Sequence, residues 1–286
     1  MRWQVSDQEV AHYREKGFVV IDDFLTDEEL ALWREAVDEA VERRGRTKLA
    51  GREDDEGWQD RDTSYYDRVF VQRINLWMDN DKVRTLMLDD RIGKMACDLA
   101  GTDGIRIWHD QALNKAPWGN PTGWHLDNPN WSYHSRDALS IWVALDDATL
   151  KNGCLHFIPG AHRTARFDTV GIGEGVGDLF RTYTEWADTE PVAATMRAGA
   201  CSFHNGLTAH GAGANMTPGW RRAMTCAYMP DGSTFNGERN VLPPEYYNSL
   251  TVGDVLDDDG QNPLIYHASR PYVEEARRGG LSGPSS

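Results

Sequence analysis

The 286-residue chain carries 30 basic and 45 acidic side chains, a formal charge of −15. Such a field repels phosphate backbones and anionic bilayers, which argues against nucleic acid or a membrane surface as a partner. With 40% hydrophobic and 26% charged residues the composition is globular, neither disordered nor fibrous. No apolar run is long enough for a signal peptide or a bilayer span, so a soluble protein is expected. Cys97, Cys154, Cys201 and Cys226 are scattered with no Cys-x-x-Cys pair. That indicates neither a zinc ribbon nor a dense disulfide framework, and it fits reduced thiols in a cytoplasm.

In chain order, Ser6-Asp7-Gln8-Glu9 and Thr26-Asp27-Glu28-Glu29 each place a hydroxyl three residues before a carboxylate. In that arrangement the two groups satisfy free amide donors at a helix start. Two N-terminal helices are predicted, the second with Leu30, Trp33, Val37 and Val41 on one face and an end near Gly45. Between them, Phe18-Val19-Val20-Ile21 is predicted as a short strand. A third helix is predicted from Asp90, with Ile92, Met95, Ala96 and Leu99 on one stripe and Gly101 as its stop. Residues 1–104 therefore read as a helical region. Within it, Arg43, Arg44, Arg46 and Lys48 form a basic cluster that reads more simply as a solvated loop than as an anion site.

From Ile105 the pattern changes to short strands separated by Gly, Pro, Asn and Asp, as in an antiparallel sandwich or barrel. Ile105 to Leu113, Leu139 to Leu145, Cys154 to Ile158, Ala200 to His204 and Arg222 to Met229 are the clearest runs, with Asn152-Gly153 marking a turn. There is no dinucleotide or phosphate loop, and Gly171 to Gly177 reads as a flexible loop. Beyond Pro230 the pattern fades, and a surface wrap that frays at the GGLSGPSS end is expected.

The chemistry concentrates in Gly123-Trp124-His125-Leu126-Asp127. On an extended strand, residues two apart project from one face, so His125 and Asp127 form a two-ligand arm. His210, after the strand at 200–204, can supply a second imidazole. Two imidazoles and one carboxylate leave three positions of an octahedral ion open, the geometry by which non-haem iron(II) takes a chelating co-substrate and dioxygen together. Downstream, a guanidinium at Arg221 or Arg222 can clamp a carboxylate by parallel hydrogen bonds. Iron beside such a clamp suggests a 2-oxo acid.

Several pieces then carry a family resemblance: Trp124-His125-Leu126-Asp127, Trp142-Val143-Ala144-Leu145-Asp146-Asp147, Asn152-Gly153-Cys154-Leu155, Ile158-Pro159-Gly160-Ala161-His162-Arg163, His210-Gly211-Ala212-Gly213-Ala214-Asn215 and Arg221-Arg222-Ala223. In order and spacing, from about Phe18 to Met229, the chain resembles the phytanoyl-CoA dioxygenase family of iron(II)- and 2-oxoglutarate-dependent oxygenases. The resemblance implies a mainly β fold with flanking helices. This would be a double-stranded β-helix, a cupin-like jelly roll, in one oxygenase domain over 1–286: a helical region at 1–104, a core at 105–229 and a C-terminal wrap at 230–286.

By the same resemblance His125, Asp127 and His210 are the iron ligands. Arg221 binds 2-oxoglutarate, with Trp142 and Gln111 beside it, and O2 is the second co-substrate. Arg222, next along the strand, should face the other way. Two departures stand out: Leu126 replaces a frequent Gln, and Ala212 replaces a small hydroxyl residue. Asp127 itself favours hydroxylation, because halogenating relatives replace it by a small residue.

The substrate is expected to be a small molecule with an aliphatic C–H bond. Trp131, Tyr133 and Lys115 are candidates to touch it, with Trp118 and His134 in the same aromatic loop and His204 read as a core histidine. A CoA thioester is disfavoured because the acidic chain shows no phosphate cradle. Two other readings use the same ligands: a cupin-like iron enzyme without the oxo acid, for which Arg221 would be superfluous, and a silent metal-binding protein.

Overall fold

A computed structural model of the chain describes residues 1–60, 65–173 and 175–270. The first helix, α1 (Asp7–Lys16), leads into strand β1 (Phe18–Ile21) and helix α2 (Asp27–Arg44). Both helices begin with complete capping boxes, on Ser6 with Glu9 and on Thr26 with Glu29, worth about 1 kcal/mol each. Strand β2 (Val71–Ile74) and helix α3 (Asp81–Met87) follow, then α4 (Asp90–Ala100), which stops at Gly101 in the left-handed conformation. Sequence periodicity gave no sign of β2 or α3, each too short for a clear period.

The remaining strands are β3 (Gly104–Asn114), β4 (Thr122–His125), β5 (Leu139–Ala144), β6 (Leu155–Phe157), β7 (Val192–Ala194), β8 (Cys201–Asn205), β9 (His210–Ala212), β10 (Ala223–Pro230) and β11 (Leu264–His267). Two short helices, α5 (Leu179–Thr182) and α6 (Pro244–Ser249), lie among them. The strands form two antiparallel sheets. The larger has the order β1-β8-β5-β10-β3-β11, with β2 also on β3, and the smaller β4-β9-β6-β7. This is the jelly-roll arrangement expected, with two sheets facing each other and not closed into a barrel.

Along β10, Met224, Cys226 and Tyr228 join a core with Trp33, Val37, Met95 and Leu99 of the helices, while Ala223, Thr225 and Ala227 face the other way. Strand β3 does the same only because of a bulge. His109 pairs with Ala227 and Ile107 with Tyr228, so Trp108 is the extra residue. Ile105 and Ile107 face the helices, yet beyond the bulge His109 and Gln111 face the opposite side.

The large sheet also draws on both ends of the chain. β1 pairs with β8, β2 with β3, and β11 with β3, so its edges do not fall at residues 105 and 229. The stretch after Pro230 is more than a surface wrap, since Phe235, Val241, Leu242 and Leu256 are buried beside Trp108 and Trp131. The GGLSGPSS end lies outside the described residues, as does Glu174 of the glycine-rich loop.

The basic cluster is only partly a solvated loop: Arg43 and Arg46 are exposed. Arg44 is buried, donating to Asp79 and to the carbonyls of Ile74 and Asn75, which ties α2 to the end of β2, and Lys48 pairs with Asp67 and Asp60. All four cysteines are buried and free. No helix among the described residues is long and apolar enough to cross a membrane.

Candidate metal centre and its cavity

His125 ends β4 and pairs in register with His210, the first residue of β9. Neighbours across an antiparallel pair on one face are close, and the two imidazole centroids lie 4.1 Å apart. Asp127 reaches them differently from the expected strand alternation. It has left the strand, with φ −78° and ψ −56°, and opens a turn of 3-10 helix at Asn128–Asn130 with Pro129 at its second position. The amides of Asp127 and Asn128 both donate to the Gly206 carbonyl, which fixes this turn.

The result is a cluster in which Asp127 Oδ1 lies 3.6 Å from His125 Nε2 and 3.8 Å from His210 Nε2. One ligand atom from each of the three residues lies within 4.8 Å of the others. Both rings are set for ligation through Nε2. His125 Nδ1 is 2.8 Å from the Gly123 carbonyl and His210 Nδ1 is 3.0 Å from the Thr208 carbonyl. A carbonyl only accepts, so each Nδ1 carries the proton and each Nε2 keeps its lone pair. Burial, then repulsion from His125, pushes the His210 imidazole down to about 3, so it is neutral at physiological pH.

Burial works against the charge of Asp127, yet His210, His125 and His204 around it hold the carboxyl well below the usual carboxylate range. Its second oxygen, Oδ2, accepts from Ser140 Oγ and faces His204 Nε2, each at 3.2 Å. The core histidine His204 therefore orients the carboxylate. With Oδ2 held, Oδ1 is left toward the imidazoles. Neutral imidazoles plus a charged carboxylate make a donor set suited to a divalent ion such as iron(II).

The triad opens into a cavity of about 390 Å³ between the sheets. Arg221 lines it, is 1% exposed, and has Nε and Nη2 without a hydrogen-bond partner. Its guanidinium lies over Trp142 at 5.1 Å and Phe70 at 5.5 Å from the ring centroids. Burial pushes it down to about 10, still charged at neutral pH. A buried cation with unused donors facing a cavity is costly unless an anion completes it. A carboxylate such as that of 2-oxoglutarate fits. Arg222 points outward and pairs with Asp146 and Asp38.

Of the other candidates, Trp142, Gln111 and Trp131 line the cavity. Tyr133 and Lys115, expected to touch substrate, do not line it. Tyr133 is wholly buried against Trp108 and Trp131, with its hydroxyl donating to the Tyr228 carbonyl. Lys115 is wholly buried, its Nζ donating to the carbonyls of Asn120 and Gly213. It lies past the end of β3, and burial, then Arg221, push it down to about 6.

Of the flanking pair, Trp118 is exposed and His134 stacks on Phe167. Leu126 is buried with Ile158, Leu207 and Ala209, where a Gln amide would lack partners. Ala212 lines the cavity as a bare methyl.

Sequence reasoning missed His109, Asn240 and Val241, all cavity-lining. His109 was within reach, since alternation back from Gln111 lands on it. Asn240 and Val241 come from the segment beyond Pro230, where no pattern shows.

A sequence profile described as phytanoyl-CoA dioxygenase (PhyH) matches residues 13–223. The chain belongs to the phytanoyl-CoA dioxygenase family. Curated relatives include a probable alpha-ketoglutarate-dependent hypophosphite dioxygenase of Stutzerimonas stutzeri, 27% identical over 221 residues, 76% of this chain and 76% of that protein. A methylphosphonate hydroxylase of Gimesia maris is 25% identical over 248 residues, 86% of this chain and 87% of that one. Among solved structures, the non-heme alpha-ketoglutarate-dependent carbocyclase SnoK from nogalamycin biosynthesis superposes with TM-score 0.74 and 28% identity, covering 91% of this chain and 96% of that one. The epimerase SnoN, in complex with Fe3+, alpha-ketoglutarate and nogalamycin RO, follows with TM-score 0.70 and 26% identity over 91% and 98%.

Proposed function

We propose that this family member is an iron(II)- and 2-oxoglutarate-dependent dioxygenase that hydroxylates an aliphatic C–H bond of a small molecule, with succinate and CO2 as co-products. The observation that carries this reading is the pairing of an oriented His-Asp-His cluster with a buried, unpartnered Arg221 on one cavity. Iron and 2-oxoglutarate, when bound, supply the activation of O2 and the oxidation of the C–H bond.

The chain's own residues set the conditions for that chemistry. His125 and His210 offer Nε2, and the carbonyls of Gly123 and Thr208 fix their rings. Ser140 and His204 hold one oxygen of Asp127 so that the other is free to ligate. Arg221 receives the far carboxylate of the oxo acid, and Trp142 and Phe70 cover its faces and exclude water. A cupin-like enzyme without the oxo acid, or a silent metal-binding protein, would have no use for a buried cation of this kind.

The test is anaerobic titration with iron(II) and 2-oxoglutarate, watching for the visible charge-transfer band of the chelate. O2 uptake coupled to succinate release follows. Both are expected in the native protein and absent in Asp127→Ala; turnover that survives the substitution would refute the reading. The likeness to a carbocyclase and an epimerase supports a second outcome, oxidation of the substrate without oxygen insertion. Isotopically labelled O2 separates the two, since only hydroxylation places the label in the product. A cytoplasmic location rests on the reduced, buried cysteines alone.

A further inference from the structure

The two ends of the cavity differ in chemistry. Arg221 bridges to Lys115, six residues along β3 from His109, so at about 3.3 Å per residue the two positions are about 20 Å apart. Asp127 of the ligand cluster is held at the level of His109, from strands across the sheet. His109, Ala227, Ser140 and His204 form one register row across β3, β10, β5 and β8, and Ser140 and His204 hold Asp127. His109 is two strands from Ser140, about 10 Å across the sheet. The space on that side is what remains for a substrate once the oxo acid occupies the Arg221 side.

No acidic or basic side chain lies there among the described residues. Of the described residues lining the cavity, Asp127 and Arg221 alone carry formal charge, and iron and the co-substrate would engage both. His109 does not alter this, because burial pushes its imidazole down to about 4. The walls are Trp58, Trp131, Ile74 and Val241.

Two polar atoms in this region have no partner: Nδ1 of His109 and Oδ1 of Asn240, both buried. Asn240 is also held at φ 41°, a left-handed conformation uncommon outside glycine. A buried polar atom left unsatisfied is costly, so both are poised for a ligand's hydroxyl or carbonyl group.

We propose that the part of the substrate inside the cavity is uncharged, a ring-bearing apolar body with hydroxyl or carbonyl groups that His109 and Asn240 recognise. This rests on the oxygenase reading above and narrows it. Carboxylates, phosphonates, phosphates and ammonium groups find no counter-charge on the His109 side, and burying one unpaired is strongly unfavourable. The chain would therefore differ in substrate class from its hypophosphite and methylphosphonate relatives.

The test uses anaerobic protein loaded with iron(II) and 2-oxoglutarate, titrated by calorimetry with four probes of one ring frame. Two are neutral, 2-naphthol and 1-tetralone; two are charged, 2-naphthoate and 2-naphthylmethylammonium. The neutral probes are expected to bind at least about tenfold more tightly than either charged one and to shift the chelate's visible band. His109→Leu and Asn240→Leu should each weaken 2-naphthol binding by about threefold or more with the chelate band itself unchanged. Equal or tighter binding of a charged probe, no binding of either neutral probe, or indifference to both substitutions overturns the proposal. Failure of the chelate band to form at all would instead sink the oxygenase reading on which it rests.

Discussion

The strand-built part of the cavity and its loop-built part are organised on opposite principles. On the strand side the reactive groups are over-determined: His125 and His210 are paired neighbours whose Nδ1 atoms face backbone carbonyls, and Asp127, in the turn after β4, has its second oxygen held by Ser140 and His204 from β5 and β8. Elsewhere in the lining, Asn240 and Val241 come from an irregular segment and Trp58 from the end of a short 3-10 turn. The chemistry is mounted on the β4–β9 pair and on the turn that follows it, where hydrogen bonds fix each group. Selectivity is mounted on loops, which can vary without moving the iron ligands.

The largest effect should come from the ladder side. Asp127→Ala is expected to abolish iron retention and the chelate band, read by metal analysis and visible absorption. Next, Arg221→Gln should raise the 2-oxoglutarate KM by about two orders of magnitude or more, since a buried charge-assisted clamp is worth roughly 2–5 kcal/mol when one partner is removed. Iron binding without the oxo acid should be unchanged, which separates the clamp from the ligands.

His204→Phe removes a group that touches Asp127 rather than the metal. It should weaken iron affinity by about 10- to 100-fold, with His204→Gln recovering part of the loss by restoring a donor to Oδ2. An unchanged affinity in His204→Phe would show that Ser140 alone orients the carboxylate. On the loop side, Val241→Ala should change the substrate KM by less than about tenfold and leave 2-oxoglutarate binding untouched. If it disturbed the chelate band, the division between ladder and loop would fail.

A separate effect concerns pH. His109 ionises near 4 when folded against about 6.5 in an unfolded chain. Below pH 6.5 the unfolded chain takes up a proton that the folded imidazole refuses. Stability of the metal-free protein should therefore fall as pH drops from 6.5 toward 4, and His109→Leu should flatten that slope in denaturant titrations.

The same contrast explains what could be read from the sequence. The helix starts at Ser6 and Thr26, the strand runs and the ligand spacing are all local signals, and each is found where the residues placed it. Alternation set Arg221 and Arg222 on opposite faces, and the family resemblance chose between them. Other features depended on distant partners. Lys115 reads as cavity-facing by alternation from Gln111, yet past the end of β3 its Nζ is drawn onto the carbonyls of Asn120 and Gly213. β11 reads as a tail because nothing in Leu264–His267 shows that β3 has a vacant edge for it. Asp127 sits in the right place by a different route, a turn instead of a continued strand, because Pro129 and the Gly206 carbonyl bend the chain there.

The bulge at Trp108 lets one strand send two successive large rings to the chamber side, Trp108 against Tyr133 and His109 into the lining. Losing that single residue would leave Ile107 opposite Tyr228 and His109 opposite Ala227, so the sheet would keep its register while the aromatic wall behind Trp131 lost its backing. A lineage could in this way refurbish the substrate room of the enzyme and leave its iron furnace alight.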